Sequence, residues 1–186
     1  MKLLTRKFFC RHPKTVAKDL LGKILVRKIG NKKFFYKIIE TEAYADGDDD
    51  ACHYVRYGPT KRTIRLCDTP GKSYVYSVHI NMFCFNFVVH KEEHAGGVLI
   101  RGVEKLGENK NFKKNEFENK KILGPAKVCR ELKIDKRYDG IDMIRNKEFF
   151  VIEGRMIDKK KILATKRINI DYAKKAKDWL WRFIVT

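Results

Sequence analysis

Tyr36-Lys37-Ile38-Ile39-Glu40-Thr41-Glu42-Ala43-Tyr44 begins as an ordinary half-buried β-strand and ends as something else. Two carboxylates and a tyrosine stand where further core residues are expected. Side chains alternate across a strand, so Ile38, Glu40, Glu42 and Tyr44 are expected to share one face. If that face is buried, the acids are costly unless they are paired or hydrogen-bonded. Such a conflict between pattern and chemistry marks a candidate functional site. The alternative is a strand that ends near Glu40, with both acids in water.

Working outward, Lys23 to Ile29 reads as a strand centred on Ile24-Leu25-Val26, and Gly30-Asn31 is a turn signal. The two strands make a hairpin that delivers Glu40 to Tyr44 at its far end. Upstream, residues 12–22 read as a short helix, with Pro13 suited to a first helical position and Gly22 able to end it. Downstream, residues 45–73 lack periodicity and read as a long loop with a helical turn around Ala51–Tyr54. Residues 74–90 read as two strands, or one bent strand, around Ile80-Asn81, and Gly96-Gly97 starts another that runs through Val103. The Asn- and Lys-rich stretch 107–121 reads as a solvated loop. Gly124-Pro125 opens a helix through Leu132, residues 148–153 and 162–170 read as strands, and the aromatic tail Trp179–Phe183 is expected to dock on the core. Strands outnumber helices and tight turns join several of them. The fold class is therefore mixed α+β: one domain over residues 1–186, with a mostly antiparallel sheet flanked by helices.

The 186 residues suffice for one domain with a real core, and 44% hydrophobic content is that of a globular chain. Lysine and arginine number 42 against 23 acids, a net charge of +19. Self-repulsion makes so large an excess costly, so a polyanion partner is expected: DNA, RNA or an anionic membrane surface. No apolar run is long enough for a transmembrane helix, and the N-terminus lacks the apolar core of a signal peptide. The five cysteines (10, 52, 67, 84 and 129) are odd in number and include no C-x-x-C pair. Neither a disulfide framework nor a zinc ribbon is implied, and free thiols in a reducing compartment are expected.

Several constellations could carry chemistry. Carboxylates at i and i+2 of a strand lie about 7 Å apart at the backbone. One could act as general base and the other as its electrostatic partner, which suits hydrolysis of a glycosidic or N-glycosidic bond. Asp48-Asp49-Asp50 with His53 raises a metal site, as in a nuclease. Consecutive aspartates point in different directions, so a solvated acidic loop or helix start is the simpler reading. Tyr44, His53, Tyr74, Tyr76 and His79 interleave with basic residues, as suits stacking on bases, although buried tyrosines with an anchored hydroxyl would look the same. Gly124-Pro125-Ala126-Lys127 offers backbone N–H groups and a cation to a phosphate, or is an ordinary helix start. Arg101 comes after a hydrophobic strand, with Glu40 or Glu42 as a candidate partner.

Taken in order, Leu20-Leu21-Gly22-Lys23, Glu40-Thr41-Glu42-Ala43-Tyr44, Asp50-Ala51-Cys52-His53, Pro70-Gly71, Tyr74-Val75-Tyr76, Asn86, Val98-Leu99-Ile100-Arg101, Gly124-Pro125-Ala126-Lys127, Arg167 to Ala173 and Trp181-Arg182-Phe183 form a specific set. Together, from about Leu4 to Phe183, they resemble the alkyladenine (3-methyladenine) DNA glycosylase family of the mammalian type. The resemblance implies a curved antiparallel sheet and a monofunctional glycosylase that cuts the N-glycosidic bond of a damaged purine. The implied substrates are duplex DNA containing 3-methyladenine, 7-methylguanine or hypoxanthine, and the product is an abasic site. It implies no cofactor, no metal, no membrane and a monomer, cytoplasmic in a bacterium and nuclear in a eukaryote. It gives Glu42 the part of general base and Arg101 that of holding the water and carboxylate. Tyr44 and Tyr76 flank the flipped base, His53 contacts it, Asn86 crowds out the 2-amino group of guanine, and Lys127 contacts phosphate. Such chemistry requires the target base to leave the stack.

Two departures matter. The DNA wedge, a tyrosine in the family, is His79 here, with Met82 or Ile80 as stand-ins. The next residue, a glycine in the family, is Ile80, which does not readily adopt φ > 0. The second departure is the 107–121 stretch, which has no assigned part. A non-catalytic basic nucleic-acid-binding module and a metal-dependent nuclease are the rival readings.

Overall fold

The computed structural model describes residues 1–108 and 120–186. The Tyr36–Tyr44 stretch lies in a strand of 14 residues, Lys32–Ala45 (β2), at the centre of a sheet of nine strands among the described residues. Every strand pairing in it is antiparallel. Ile24–Ile29 (β1) makes the expected hairpin with the first half of β2, Ile29 facing Lys32 across a turn whose Gly30 has φ 59°. Ser73–His79 (β3) and Met82–Val88 (β4) are two strands, not one bent strand, and make a second hairpin. Gly96–Glu108 (β5) pairs with β4 on one edge and with β2 on the other.

Beyond these, Lys121–Leu123 (β6) adds to β5, Phe149–Ile152 (β7) to β1, and Ile162–Thr165 (β8) to Arg182–Val185 (β9). The strand expected over 162–170 is thus only four residues long. The aromatic tail does more than dock: as β9 it pairs with β2 at Glu40, Thr41 and Glu42. Gly107 and Glu108 close β5 and Lys121 opens β6, so the ends of the expected 107–121 loop are strand. The remainder of that expectation, 109–119, lies outside the described residues.

The helices are short: Arg6–Phe9 (α1), Pro13–Leu20 (α2), His53–Tyr57 (α3) and Pro125–Glu131 (α4). Pro13 opens α2 and Gly124 precedes α4, as the sequence indicates. α2 buries Val16, Ala17 and Leu20, and α4 buries Val128 and Cys129. These meet Tyr36, Ile38, Ala43, Phe85, Phe87, Val98, Ile100 and Val103 of the sheet in the main core.

Besides a register shift between Phe35 and Tyr36, strict alternation fails beyond Ile38. The register of β2 on β5 shifts between Ile38 and Glu40 and shifts back between Glu40 and Thr41. Bulges of this kind insert a residue and re-aim the side chains beyond it. Ile38 therefore joins Ala43 in the main core, and the Thr41 hydroxyl donates to Ala17 O of α2 at 2.8 Å. Glu40, Glu42 and Tyr44 do share a face, but Ile38 is not on it, contrary to the alternation expected from sequence. The irregularity falls where β1 leaves the edge of β2 and β9 takes over.

Candidate active site

On the face of β2 that carries Glu42 lies a cavity of about 500 Å³, within the range of small-molecule sites, about 300–1,000 Å³. Glu42, Arg101, Tyr44, His53, Tyr76, Asn86, His79 and Lys127, the candidate residues of the sequence, all line it. They come from β2, α3, β3, β4, β5 and α4, so the cavity is assembled by the sheet and not by one local motif.

Glu42 is fully buried. Its Oε2 accepts from the Tyr44 hydroxyl at 2.8 Å and its Oε1 from the backbone N–H of Ile168 at 2.9 Å. Arg101 Nε stands 3.5 Å from Oε1 and donates to Glu40 Oε1 at 3.1 Å. Glu40 also accepts from Arg182 Nε at 2.7 Å. The solvated strand end is thereby excluded for both acids: Glu40 sits buried between two guanidiniums. Gly102 faces it across the ladder, where a Cβ would come within 2.9 Å of Glu40 Cβ.

Burial lifts the Glu42 carboxyl above its ordinary range, against the opposing pull of Arg101, the Ile168 amide, the Tyr44 hydroxyl and Arg167. A carboxylate held this way is both oriented and more basic than a free one, as a general base requires. Burial likewise holds the Tyr44 and Tyr76 phenols protonated, well above the usual tyrosine range.

Aromatic rings form one wall. His53 and Tyr76 meet with centroids 4.8 Å apart, and Tyr74 and Tyr76 at 5.2 Å. His53 Nδ1 and the Tyr74 hydroxyl share a hydrogen bond of 3.2 Å. Tyr74 itself is a core residue with an anchored hydroxyl. Burial, with Arg62 and Arg56 nearby, lowers the His53 imidazole to about 4, so it is neutral at physiological pH. Buried Asn86 donates through Nδ2 to Tyr74 O at 3.1 Å, which fixes its amide against the same wall.

The mouth is built by exposed groups. His79, Ile80 and Asn81 form the β3–β4 tip, where Ile80 is 92% exposed. The left-handed residue of this turn is Asn81, at φ 58°. The turn therefore closes without asking Ile80 for a positive φ. Lys127 stands exposed on the first turn of α4.

The aspartate run does not converge on an ion. Asp49 is buried and accepts both arms of Arg167, at 2.7 and 2.8 Å, besides the N–H groups of Ala45 and Ala51. Asp50 accepts from the N–H groups of Lys174, Lys175 and Ala176, and Asp48 pairs with Lys175 Nζ. Among the described residues no group of three or more His, Cys, Asp and Glu is arranged to hold a metal. The solvated acidic loop holds for exposed Asp48 but is corrected at Asp49, which is fully enclosed. Reasoning from sequence assigned no part to Arg167, Ile168 or Arg182. Their signal was indirect: three adjacent acids that need partners, and a basic residue in each of the late segments.

A buried, oriented carboxylate beside a guanidinium faces a cavity walled by flat rings on a chain of net charge +19, an arrangement suited to hydrolysis at a planar group carried on a polyanion. Residues 7–186 match the family model described as Methylpurine-DNA glycosylase (MPG). A protein of Clostridium perfringens (strain 13 / Type A) is 41% identical over 98% of this chain and 95% of its own length. One of Clostridium botulinum (strain Loch Maree / Type A3) is 38% identical over the same shares. Both bear the name "Putative 3-methyladenine DNA glycosylase". The chain belongs to the methylpurine-DNA glycosylase family and is a hydrolytic DNA glycosylase, with DNA as its substrate.

Proposed function

We propose that this glycosylase acts on damaged purines of the 3-methyladenine, 7-methylguanine and hypoxanthine class in duplex DNA, as a monomer in the cytoplasm, with the whole chain as its catalytic unit. The observation that carries the mechanism is the buried Glu42 carboxylate, held by the Tyr44 hydroxyl, the Ile168 amide and Arg101 at the cavity. The damaged base leaves the stack and enters the cavity, since its glycosidic bond is out of reach within the duplex. Glu42 takes a proton from water as the water oxygen bonds to the sugar C1′. The C1′–N bond breaks with its electron pair passing to the purine, and an abasic site remains. Arg101 holds the carboxylate in place. Tyr76 and His53 flank the base, as does the face of Tyr44 not covered by Arg167, while Asn86 obstructs the 2-amino group of intact guanine. His79 at the hairpin tip fills the gap in the duplex, and Lys127 meets a phosphate.

A panel of duplexes, each with one lesion, scored for released free base, tests the substrate class. Glu42→Gln should lower release by about a hundredfold to ten-thousandfold, the range of general-base catalysis, with duplex binding retained. Undiminished excision by that variant would remove Glu42 from the role. A protein that merely bound nucleic acid would release no hypoxanthine from an inosine duplex.

A further inference from the structure

We infer that Arg167 is a positioning residue for base release: clasped by the aspartate run, it fixes the segment whose Ile168 amide holds Glu42. The inference rests on Glu42 being the base.

The geometry is specific. One guanidinium ties three parts of the chain together. Nη1 donates to Ala43 O at 2.7 Å and to Asp49 Oδ2 at 2.8 Å, and Nη2 donates to Asp49 Oδ1 at 2.7 Å and to Ala176 O at 3.3 Å. Ala43 lies between Glu42 and Tyr44 in β2. The guanidinium also lies over the Tyr44 ring, 4.7 Å from its centroid. Both side chains of the Arg167–Asp49 pair are fully enclosed. A fully buried ion pair is weak support for stability alone, because desolvation offsets the attraction. Arg167 Nε is even left buried without a partner among the described residues. Stability alone does not account for such an arrangement, whereas orientation does: the fork of a guanidinium fixes direction as well as distance. The neighbouring residues agree. Ile168 N–H points at Glu42 Oε1, and Asn169 turns the chain with φ 59°. Asp50 then gathers three consecutive backbone N–H groups, from Lys174 to Ala176. The aspartates that look like metal ligands in the sequence thus fasten a strap across the base.

The charged and titratable groups around Glu42 are Tyr44 from β2, Arg101 from β5, Cys84 from β4 and Arg167 from the strap, with Glu40 and Arg182 behind Arg101. Loss of the strap removes two influences that favour the carboxylate, the Ile168 donor and the Arg167 charge. The test is single-turnover release of hypoxanthine against pH for Arg167→Ala, Arg167→Lys and Asp49→Asn, beside Glu42→Gln. The expected rate loss for Arg167→Ala is about tenfold to a hundredfold, as for a displaced reacting group. Its acidic limb should move up by about one pH unit, with duplex affinity kept. Arg167→Lys, which keeps the charge without the fork, should show a smaller move, and Asp49→Asn should track Arg167→Ala in direction. A rate loss that tracks the folded fraction, with the limb unmoved, would overturn the inference, as would full activity or failure of all three variants to fold. If Glu42→Gln still cuts, it is the assignment of the base that falls instead.

Discussion

At the scale of single residues, the site turns on how one carboxylate is kept both buried and ready. Because burial raises Glu42 above the 4.5 of a free glutamate, its deprotonation falls at higher pH than usual. Only the deprotonated form accepts a proton from water. Single-turnover release should therefore rise with pH up to a limb above the ordinary glutamate range, then level off. A limb below 4.5 in the wild-type profile would contradict the burial argument. His53 adds no second limb between pH 5 and 8, since it is already neutral there. The Glu40–Glu42 pair stood out because acids followed a hydrophobic strand, but only the family resemblance separated Glu42 from Glu40. Arg167 was not legible, because its partner Asp49 lies 118 positions away and no local pattern joins them.

At the scale of elements, the informative piece is the β3–β4 hairpin. The break at Ile80-Asn81 was readable but the turn was not: it closes on Asn81, because asparagine tolerates the left-handed region and isoleucine does not. The tip presents Val78, His79 and Ile80 to solvent beside the cavity, with the Ser77 hydroxyl donating to His79 O at 2.6 Å. A side chain that fills a gap in the duplex matters only where there is a duplex to open. His79→Ala should therefore slow release from duplex substrate by about tenfold or more, roughly the effect on rate of one lost kcal/mol-scale contact, and leave single-stranded substrate nearly unaffected. Equal loss on both would argue against the wedge. The bulge in β2 was not legible: a period-2 reading assumes that no residue is inserted, and here one insertion separates Ile38 from the face of Glu40. The β9 strand was missed for a related reason. Its aromatic lead-in reads as core packing, while its pairing with β2 is decided by register between segments far apart in sequence.

At the scale of the molecule, the net charge of +19 on 186 residues is legible from composition alone and remains the simplest mark of the substrate. Counterions leave DNA as phosphates are neutralised, so binding should weaken linearly on a log–log plot against salt. Contact with six to ten phosphates corresponds to a slope of about −5 to −9. A flat response, measured by anisotropy with a lesion-free duplex, would contradict an electrostatic footprint. All five thiols are free, Cys52, Cys84 and Cys129 buried and Cys10 and Cys67 exposed. No helix among the described residues is long and apolar enough to cross a membrane.

The strand that carries Glu42 is finished by segments made much later. Ile168 lies 126 positions after Glu42, and Arg182 lies 142 after Glu40. A nascent chain still threaded in the ribosome has already emitted β2, β3, β4 and β5, and with them most of the cavity wall. It lacks the amide on Glu42, the second guanidinium on Glu40 and the last strand of the central ladder. The surroundings of both acids are therefore completed only by contacts between segments more than a hundred positions apart, which no local stretch of the chain can supply by itself.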